Sequence, residues 1–325
     1  MPVRFEPVLL EKVWGGDRLS AWGKSIAPGA RIGESWELAD LDATSASGAG
    51  GGGICSRVAS GAAKGHSLRE LMAAWGKDLH DVAAKSATFP LLIKFLDAQQ
   101  DLSVQVHPSP AYAAAHPECK LKTEAWMVLA AEPGSMIYKG VKHGVTQADL
   151  RRGAGDGSIV AMLDAVPAIA GHCHNLPSGT VHALGKGVLV AEVQTPSDTT
   201  FRLYDWGRTG RELHLDAALA CASLAPAPPA INMSADARVL STEFFEICRV
   251  NVAPGDERPT TRGRACTIIM VLDGAGDLSS DEGDFPATRL RKGETLLIPA
   301  CHSETAQLIA PEDSRLTCLC VQIPL

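Results

Sequence analysis

The sequence has no Cys-x-x-Cys pair, no block of basic residues and no apolar run of the ~18 residues a membrane helix needs. Aromatic side chains are few, at 5%. The cysteines number nine, an odd count, and the closest two, Cys318 and Cys320, share one strand face where a bridge would distort the backbone. A disulfide framework and a Cys-x-x-Cys redox or zinc-ribbon motif are therefore excluded, and reduced thiols in a cytoplasmic protein are expected. Lys and Arg (30) are fewer than Asp and Glu (37), for a net charge of −7, and the cations are scattered. Nucleic acid and anionic membranes are poor partners for such a chain, so any phosphate must be held by a few local cations. The opening residues, MPVRFEPVLLEK, show no apolar core with a small-residue cleavage site, and no export signal is expected. The Gly- and Ser-rich stretch ATSASGAGGGG at 43–53 lacks phosphate-loop spacing and reads as a flexible hairpin loop.

What is present is mostly strand. The 325 residues suggest two domains, and the 46% hydrophobic content suffices for a sizeable core. VWGG at 13–16 and IGESWELAD at 32–40 read as a turn followed by a strand. Ser67 and Glu70 form a capping box, and Leu68, Leu71, Met72 and Trp75 follow at helical spacing, which predicts a helix over about 67–84 with its stripe in the core. FPLLIKFLDA (89–98) reads as a buried strand, with Lys94 either snorkelling from its end to water, the favoured reading, or lining a site. EAWMVLAA (124–131) reads as another strand, 146–169 as a helix in two pieces broken at Gly153–Gly157, and 214–222 as a short helix. SLAPAPPA (223–230) has linker composition, and short strands with regular turns follow it. The expected organisation is a unit at 1–222, a linker at 223–232 and a second β unit at 233–325.

One short strand raises a question. In LSVQVHPSP (102–110), Val104 and Val106 face one way, and Gln105 and His107 the other. The polar pair faces either solvent or a shared interior. Two further stretches bear on the choice. GHCHNLPSGTVH (171–182) and GETLLIPACHSE (293–304) both read Gly-x5-Pro-x-Gly/Cys. Gly171-x5-Pro177-x-Gly179-x2-His182 resembles the second signature of the cupin barrels, and in the later copy Cys301 replaces the Gly and Glu304 the His. The fold class this resemblance implies is mainly β, two cupin-like jelly-roll barrels with helical insertions, the second barrel lacking its metal histidine. Gln105 and His107 then stand where the first cupin signature carries its two histidines, and Glu124 opens the next strand. Gln105, His107, Glu124 and His182 would converge on one divalent cation. The donor set suits Zn²⁺ with an open position, or Fe(II). His172 and His174 are expected to be structural, and His302 to lie at the surface.

GESWELAD, FPLLIKFLDA with LSVQVHP, KTEAW, PSGTVHALG and SDTTFRLYDW, in that order, resemble the type I phosphomannose isomerases, most closely the short bacterial form. The resemblance covers most of residues 1–210 and is loose in the C-terminal third. It implies an aldose–ketose isomerase that interconverts mannose 6-phosphate and fructose 6-phosphate through a cis-enediol, with one Zn²⁺ per chain on Gln105, His107, Glu124 and His182. It further implies a catalytic Arg202, Lys122 beside the substrate, and site carboxylates at Glu34 and Glu192; the carbon-bound proton could be moved by a metal-bound water, Glu192 or Lys122. The expected partner is a small sugar phosphate, and the expected state a monomer or weak homodimer. Two alternatives are an Fe(II) cupin oxygenase and a sugar-phosphate-binding cupin without catalysis.

Overall fold

The computed structural model describes residues 1–42, 52–80, 86–233, 239–261 and 263–324. Most of the expected hairpin loop at 43–53 and the end of the expected helix at 67–84 lie outside the described residues. The architecture is antiparallel β throughout its three sheets. A seven-stranded sheet runs in the order Ile231–Asn232, His172–Leu176, Glu124–Ala131, Val188–Gln194, Leu92–Ala98, Ile32–Leu38, Val8–Gly16. A five-stranded sheet runs Phe201–Tyr204, Val104–Val106, His182–Leu184, Met136–Val141, Leu163–Pro167. These two face each other as the first barrel.

The period-2 alternation of each strand decides what fills the space between them. In Leu92–Ala98, Ile93 and Phe95 point outward into a core shared with the second barrel, where they meet Ile268, Met270 and Leu319. Leu96 and Ala98 point inward, packing with Trp14, Trp126, Val188 and Leu184 at one end of the barrel interior. On the other sheet, Val104, Val106, Phe201 and Leu203 face outward, under the helices Gln147–Asp156 and Leu215–Cys221. The polar residues at the alternate positions are therefore turned into the barrel.

The second barrel is built on a nine-stranded sheet whose longest strand, Thr267–Ser280, pairs with four others. It bends at Gly274 (φ +76), where a Cβ would lie 1.9 Å from the Arg315 carbonyl oxygen, so only glycine fits. Its interior holds Ile269, Val271, Leu290, Leu296, Leu308, Leu316, Cys318 and Cys320. The strand Val3–Arg4 pairs with Thr295–Ile298 and so belongs to the second barrel's sheet, although it opens the chain. Residues 223–232 lie along the first barrel: Ser223 bridges Thr180, Lys139 donates to the Pro228 carbonyl, and Ile231–Asn232 joins the seven-stranded sheet.

Two helix expectations need correction. The helix begun by the Ser67–Glu70 capping box spans Leu68–Trp75 and stops at Gly76, whose backbone (φ 49, ψ −118) is not helical, leaving a 3₁₀ turn to Asp78. Over 146–169 the helix is continuous through Gly153 and Gly155 and ends at Gly157 in the left-handed conformation (φ 81). Gly153 is tolerated because it packs: a Cβ there would lie 2.8 Å from Ile159 N. After the 3₁₀ turn Ser158–Met162, the second expected helical piece is the strand Leu163–Pro167, which pairs with Met136–Val141. None of the nine cysteines is bonded to another, and among the described residues no helix is long and apolar enough to cross a membrane.

Candidate active site and metal centre

The inward positions of both sheets form two facing rows. Across the five-stranded sheet, Arg202 lies opposite Gln105, and Gln105 opposite His182. Across the seven-stranded sheet, Lys94 lies opposite Glu192, and Glu192 opposite Trp126. Residues paired in this way point to the same face. Gln105 therefore points into the barrel, not to solvent. His107 follows just beyond the strand, and Glu124 opens its own strand one pleat from Trp126.

His107, Glu124 and His182 converge, each under 3% exposed. His182 Nε2 is 3.1 Å from Glu124 Oε1 and His107 Nε2 is 3.4 Å from Glu124 Oε2. Ligand atoms on a tetrahedral zinc stand about 3.4 Å apart at ordinary bond lengths. Both rings are held from behind: Nδ1 of His107 is 2.9 Å from the Thr199 carbonyl oxygen and Nδ1 of His182 is 2.8 Å from that of Thr180. A carbonyl can only accept, so each Nδ1 carries the proton and each Nε2 presents a lone pair to the common centre. His107 Nε2 and both Glu124 oxygens are buried without a hydrogen bond, although Lys122 Nζ stands 2.8 Å from Glu124 Oε2. Burial, and then the Lys122 charge, push His107 down to about 3, so it is a neutral ligand at pH 7. Burial works against the Glu124 charge, but Lys122 and the two imidazoles hold its carboxyl well below the ordinary range. Orphaned acceptors, oriented lone pairs and a mixed N/O donor set fit a divalent cation. Among the described residues this is the only group of His, Cys, Asp and Glu side chains that could share one.

Gln105 borders the same point. Its Nε2 is 3.3 Å from His182 Nε2, and its Oε1 accepts from the Ser103 hydroxyl at 3.2 Å. A half-turn of the amide exchanges the two atoms and turns the oxygen to the centre, with Ser103 then accepting from the nitrogen.

Above this cluster opens a cleft of about 400 Å³, whose walls include Glu34, Gln105, Lys122, Glu192 and Arg202. Arg202 carries no ion pair among the described residues; its Nε is buried without a partner, and one terminal nitrogen reaches only the Glu212 carbonyl, at 3.5 Å. It does not pair with Asp205, which is occupied by Arg208 and Arg211.

Of the two readings of Lys94, the favoured one is overturned and the alternative, a lysine lining a site, matches the structure. Lys94 does not snorkel: it is 5% exposed, with Nζ 3.4 Å from Glu34 and 3.3 Å from Glu192, and 4.7 Å above the Trp36 ring. Burial alone would lower its pKa, but Glu192 and Glu34 raise it above the usual lysine value. Burial likewise works to raise Glu34, yet Lys94, Lys12 and the Trp36 indole hold it at about 2. The second oxygen of Glu192 accepts from the Trp126 indole at 2.8 Å. The strand parity of Ile93 and Phe95 against Lys94 and Leu96 carried the signal for this. Lys12 and Arg211 also line the cleft; nothing in the pattern around either of them marked it as a site residue. His174 is buried apart from the cluster and is pushed down to about 4, by burial and then by Lys139.

Residues 3–125 match the family described as "Phosphomannose isomerase type I, catalytic domain". Mannose-6-phosphate isomerase ManA of Bacillus subtilis is 33% identical over 310 residues, which is 92% of this chain and 93% of the relative. The chain belongs to the type I phosphomannose isomerases. A solved structure of the mannose 6-phosphate isomerase from Bacillus subtilis superposes with a TM-score of 0.83 at 28% identity, covering 99% of each chain. A more distant fold neighbour is a mannose 6-phosphate isomerase bound with zinc and yttrium (TM-score 0.71, 16% identity, 100% of both chains). These relatives place the fold as two-barrel cupin, and being isomerases they set aside the oxygenase reading.

Proposed function

We propose that this isomerase interconverts mannose 6-phosphate and fructose 6-phosphate using one Zn²⁺ held by Gln105, His107, Glu124 and His182. The observation that carries the metal assignment is the pair of imidazoles, each anchored through Nδ1 to a carbonyl, with Nε2 aimed at one buried carboxylate. The activity named for the Bacillus subtilis relative and the zinc in the distant fold neighbour support it. When bound, the cation supplies Lewis acidity to the carbonyl oxygen on which negative charge grows as a C–H proton leaves. Glu124 is the one carboxylate of the set, and neutral Gln105 adds no second negative charge, so the site stays positive overall.

The remaining residues bind and move protons. Arg202, with no ion pair among the described residues, offers a fork to anionic substrate, and Lys122 places a second cation at the cleft wall. Glu34, fixed by Lys94, Lys12 and Trp36, accepts from sugar hydroxyls. Glu192 is the carboxylate positioned to carry the proton between C2 and C1 through a cis-enediol. Its Oε1 is held by Lys94 at 3.3 Å, while Trp126 fixes the other oxygen. The test is a coupled assay of mannose 6-phosphate isomerisation before and after chelation. Loss of turnover on chelation and its return with Zn²⁺ are expected. Binding of the sugar phosphate without turnover in the metal-loaded protein would overturn the catalytic reading.

A further inference from the structure

The loop that follows Arg202 leaves that residue and comes back to it. The His214 backbone N–H donates to the Arg202 carbonyl at 2.8 Å, and the Arg202 N–H donates to His214 Nδ1 at 3.3 Å. Between these anchors the chain is fastened to the residues just before Gln105. The Trp206 indole donates to the Leu102 carbonyl at 2.6 Å, and Arg208 donates to the Asp101 carbonyl at 2.8 Å. Trp206 takes a left-handed backbone (φ 55), which a bulky residue adopts only when its surroundings hold it there. The loop is thus a fixed strap, and it carries Arg211 to the cleft wall beside Arg202.

The charges on the strap do not balance. Arg208 and Arg211 share a single carboxylate, that of Asp205, and Arg202 has none among the described residues. Glu212 also lies on the strap and acts on Arg202 from a distance, and Asp198 and Glu11 line the cleft, but among the described residues none of them forms an ion pair with Arg202 or Arg211, so two guanidiniums at this end of the cleft are left with at most a shared carboxylate. The other cations of the cleft are matched: Lys94 and Lys12 by Glu34 and Glu192, Lys122 by Glu124. A phosphate monoester carries about −1.5 to −2 at pH 7 and offers oxygens to two guanidinium forks at once. Arg211 also reaches toward the Ser103 hydroxyl, at 3.5 Å.

We infer that Arg211 is the second phosphate-holding side chain of this isomerase, clamping the phosphate of the substrate against Arg202 and so favouring phosphorylated over free sugars. The inference rests on the proposed function and deepens it. Asp205 is a positioning residue that sets the angle of the Arg211 fork.

The experiment compares wild type with R211A and R211K for mannose 6-phosphate kinetics, for competitive inhibition by inorganic phosphate, and for bound metal. Removing one charge-assisted hydrogen bond to the phosphate should raise KM about 10- to 100-fold in R211A, with a parallel rise in the inhibition constant of inorganic phosphate. Metal content should be unchanged and kcat should fall by no more than about threefold, with R211K intermediate because it keeps the charge but not the fork. Values of KM and phosphate inhibition within about twofold of wild type would overturn the inference. So would a loss of kcat and metal with phosphate inhibition intact, which marks a structural role. If R211A does not fold, R211K alone decides by the same phosphate measurement. Failure of the wild type to isomerise mannose 6-phosphate would instead strike the proposed function, and calorimetric titration with inorganic phosphate would still decide the role of Arg211.

Discussion

Replacing Lys94 by methionine keeps the length of the side chain and removes the charge that Glu34 and Glu192 share. Both carboxylates are buried, and Nζ stands 3.4 and 3.3 Å from them. A factor of ten in proton affinity is about 1.4 kcal/mol, so holding Glu34 at about 2 instead of 4.5 corresponds to about 3 kcal/mol of stability at neutral pH. Its folded pKa is depressed, so this contribution is present above about pH 4.5 and is lost as the pH falls toward 2. Lys12, 3.2 Å from Glu34, keeps part of it in the variant. Glu192 loses the ion pair with Lys94 and adds the cost of an uncompensated buried charge. Breaking one partner from a buried ionic group costs about 3–5 kcal/mol, which for a chain of this size lowers the melting temperature by about 4–7 °C. Lowering the pH from 7 toward 4.5 should narrow the gap between variant and wild type, because protonating a carboxylate relieves the variant. Thermal melts of both proteins across that range make the check. A drop under about 2 °C at pH 7, or one that does not change with pH, would refute the buried-triad argument.

Four other outcomes follow from the same geometry. H182A and E124A should each lose bound metal and turnover together, by metal analysis alongside the coupled assay. R202A should keep the metal while turnover falls by about 100-fold or more, since it removes a cation from the substrate and not a ligand; loss of metal as well would make its role structural. Q105E should retain the cation but slow turnover by about tenfold or more, because a second carboxylate reduces the positive charge left for the substrate oxygen. Gly293 has φ +84, and a Cβ there would lie 2.0 Å from the Trp22 carbonyl oxygen where the two barrels meet, so G293A should destabilise the chain by about 2 kcal/mol or more in denaturant unfolding.

Much of the site was legible because its residues sit in short, specific patterns. Gln105 and His107 could be assigned one strand face from period-2 alternation alone, but whether that face met water or a barrel interior depended on which sheet covers it. His182 became a candidate ligand through the spacing of the second signature, and Glu124 through its place after the first one in KTEAW, since a lone glutamate or histidine carries no such information. Lys94 was left between two readings, with the wrong one favoured, because a lysine in an apolar strand has two outcomes. Its counter-charges, Glu34 and Glu192, lie about sixty and a hundred residues away in sequence, and nothing local to 89–98 discloses them. Arg211 was invisible for a similar reason: its place is set by where the strap lands, which depends on Trp206 and Arg208 finding carbonyls on 101–102. The Leu163–Pro167 strand was missed because apolar spacing over so short a stretch does not separate strand from helix, and pairing with Met136–Val141 decided it. The mainly β class and the apolar second barrel were readable from alternation.

The central claim is that four side chains of the first barrel close around one cation. Anomalous scattering at the zinc edge from crystals of the metal-loaded protein tests it most directly. The account predicts a single strong peak per chain, bonded to Nε2 of His107, Nε2 of His182, a Glu124 oxygen and Oε1 of Gln105. A peak elsewhere, or none in a preparation that isomerises mannose 6-phosphate at full rate, would contradict it.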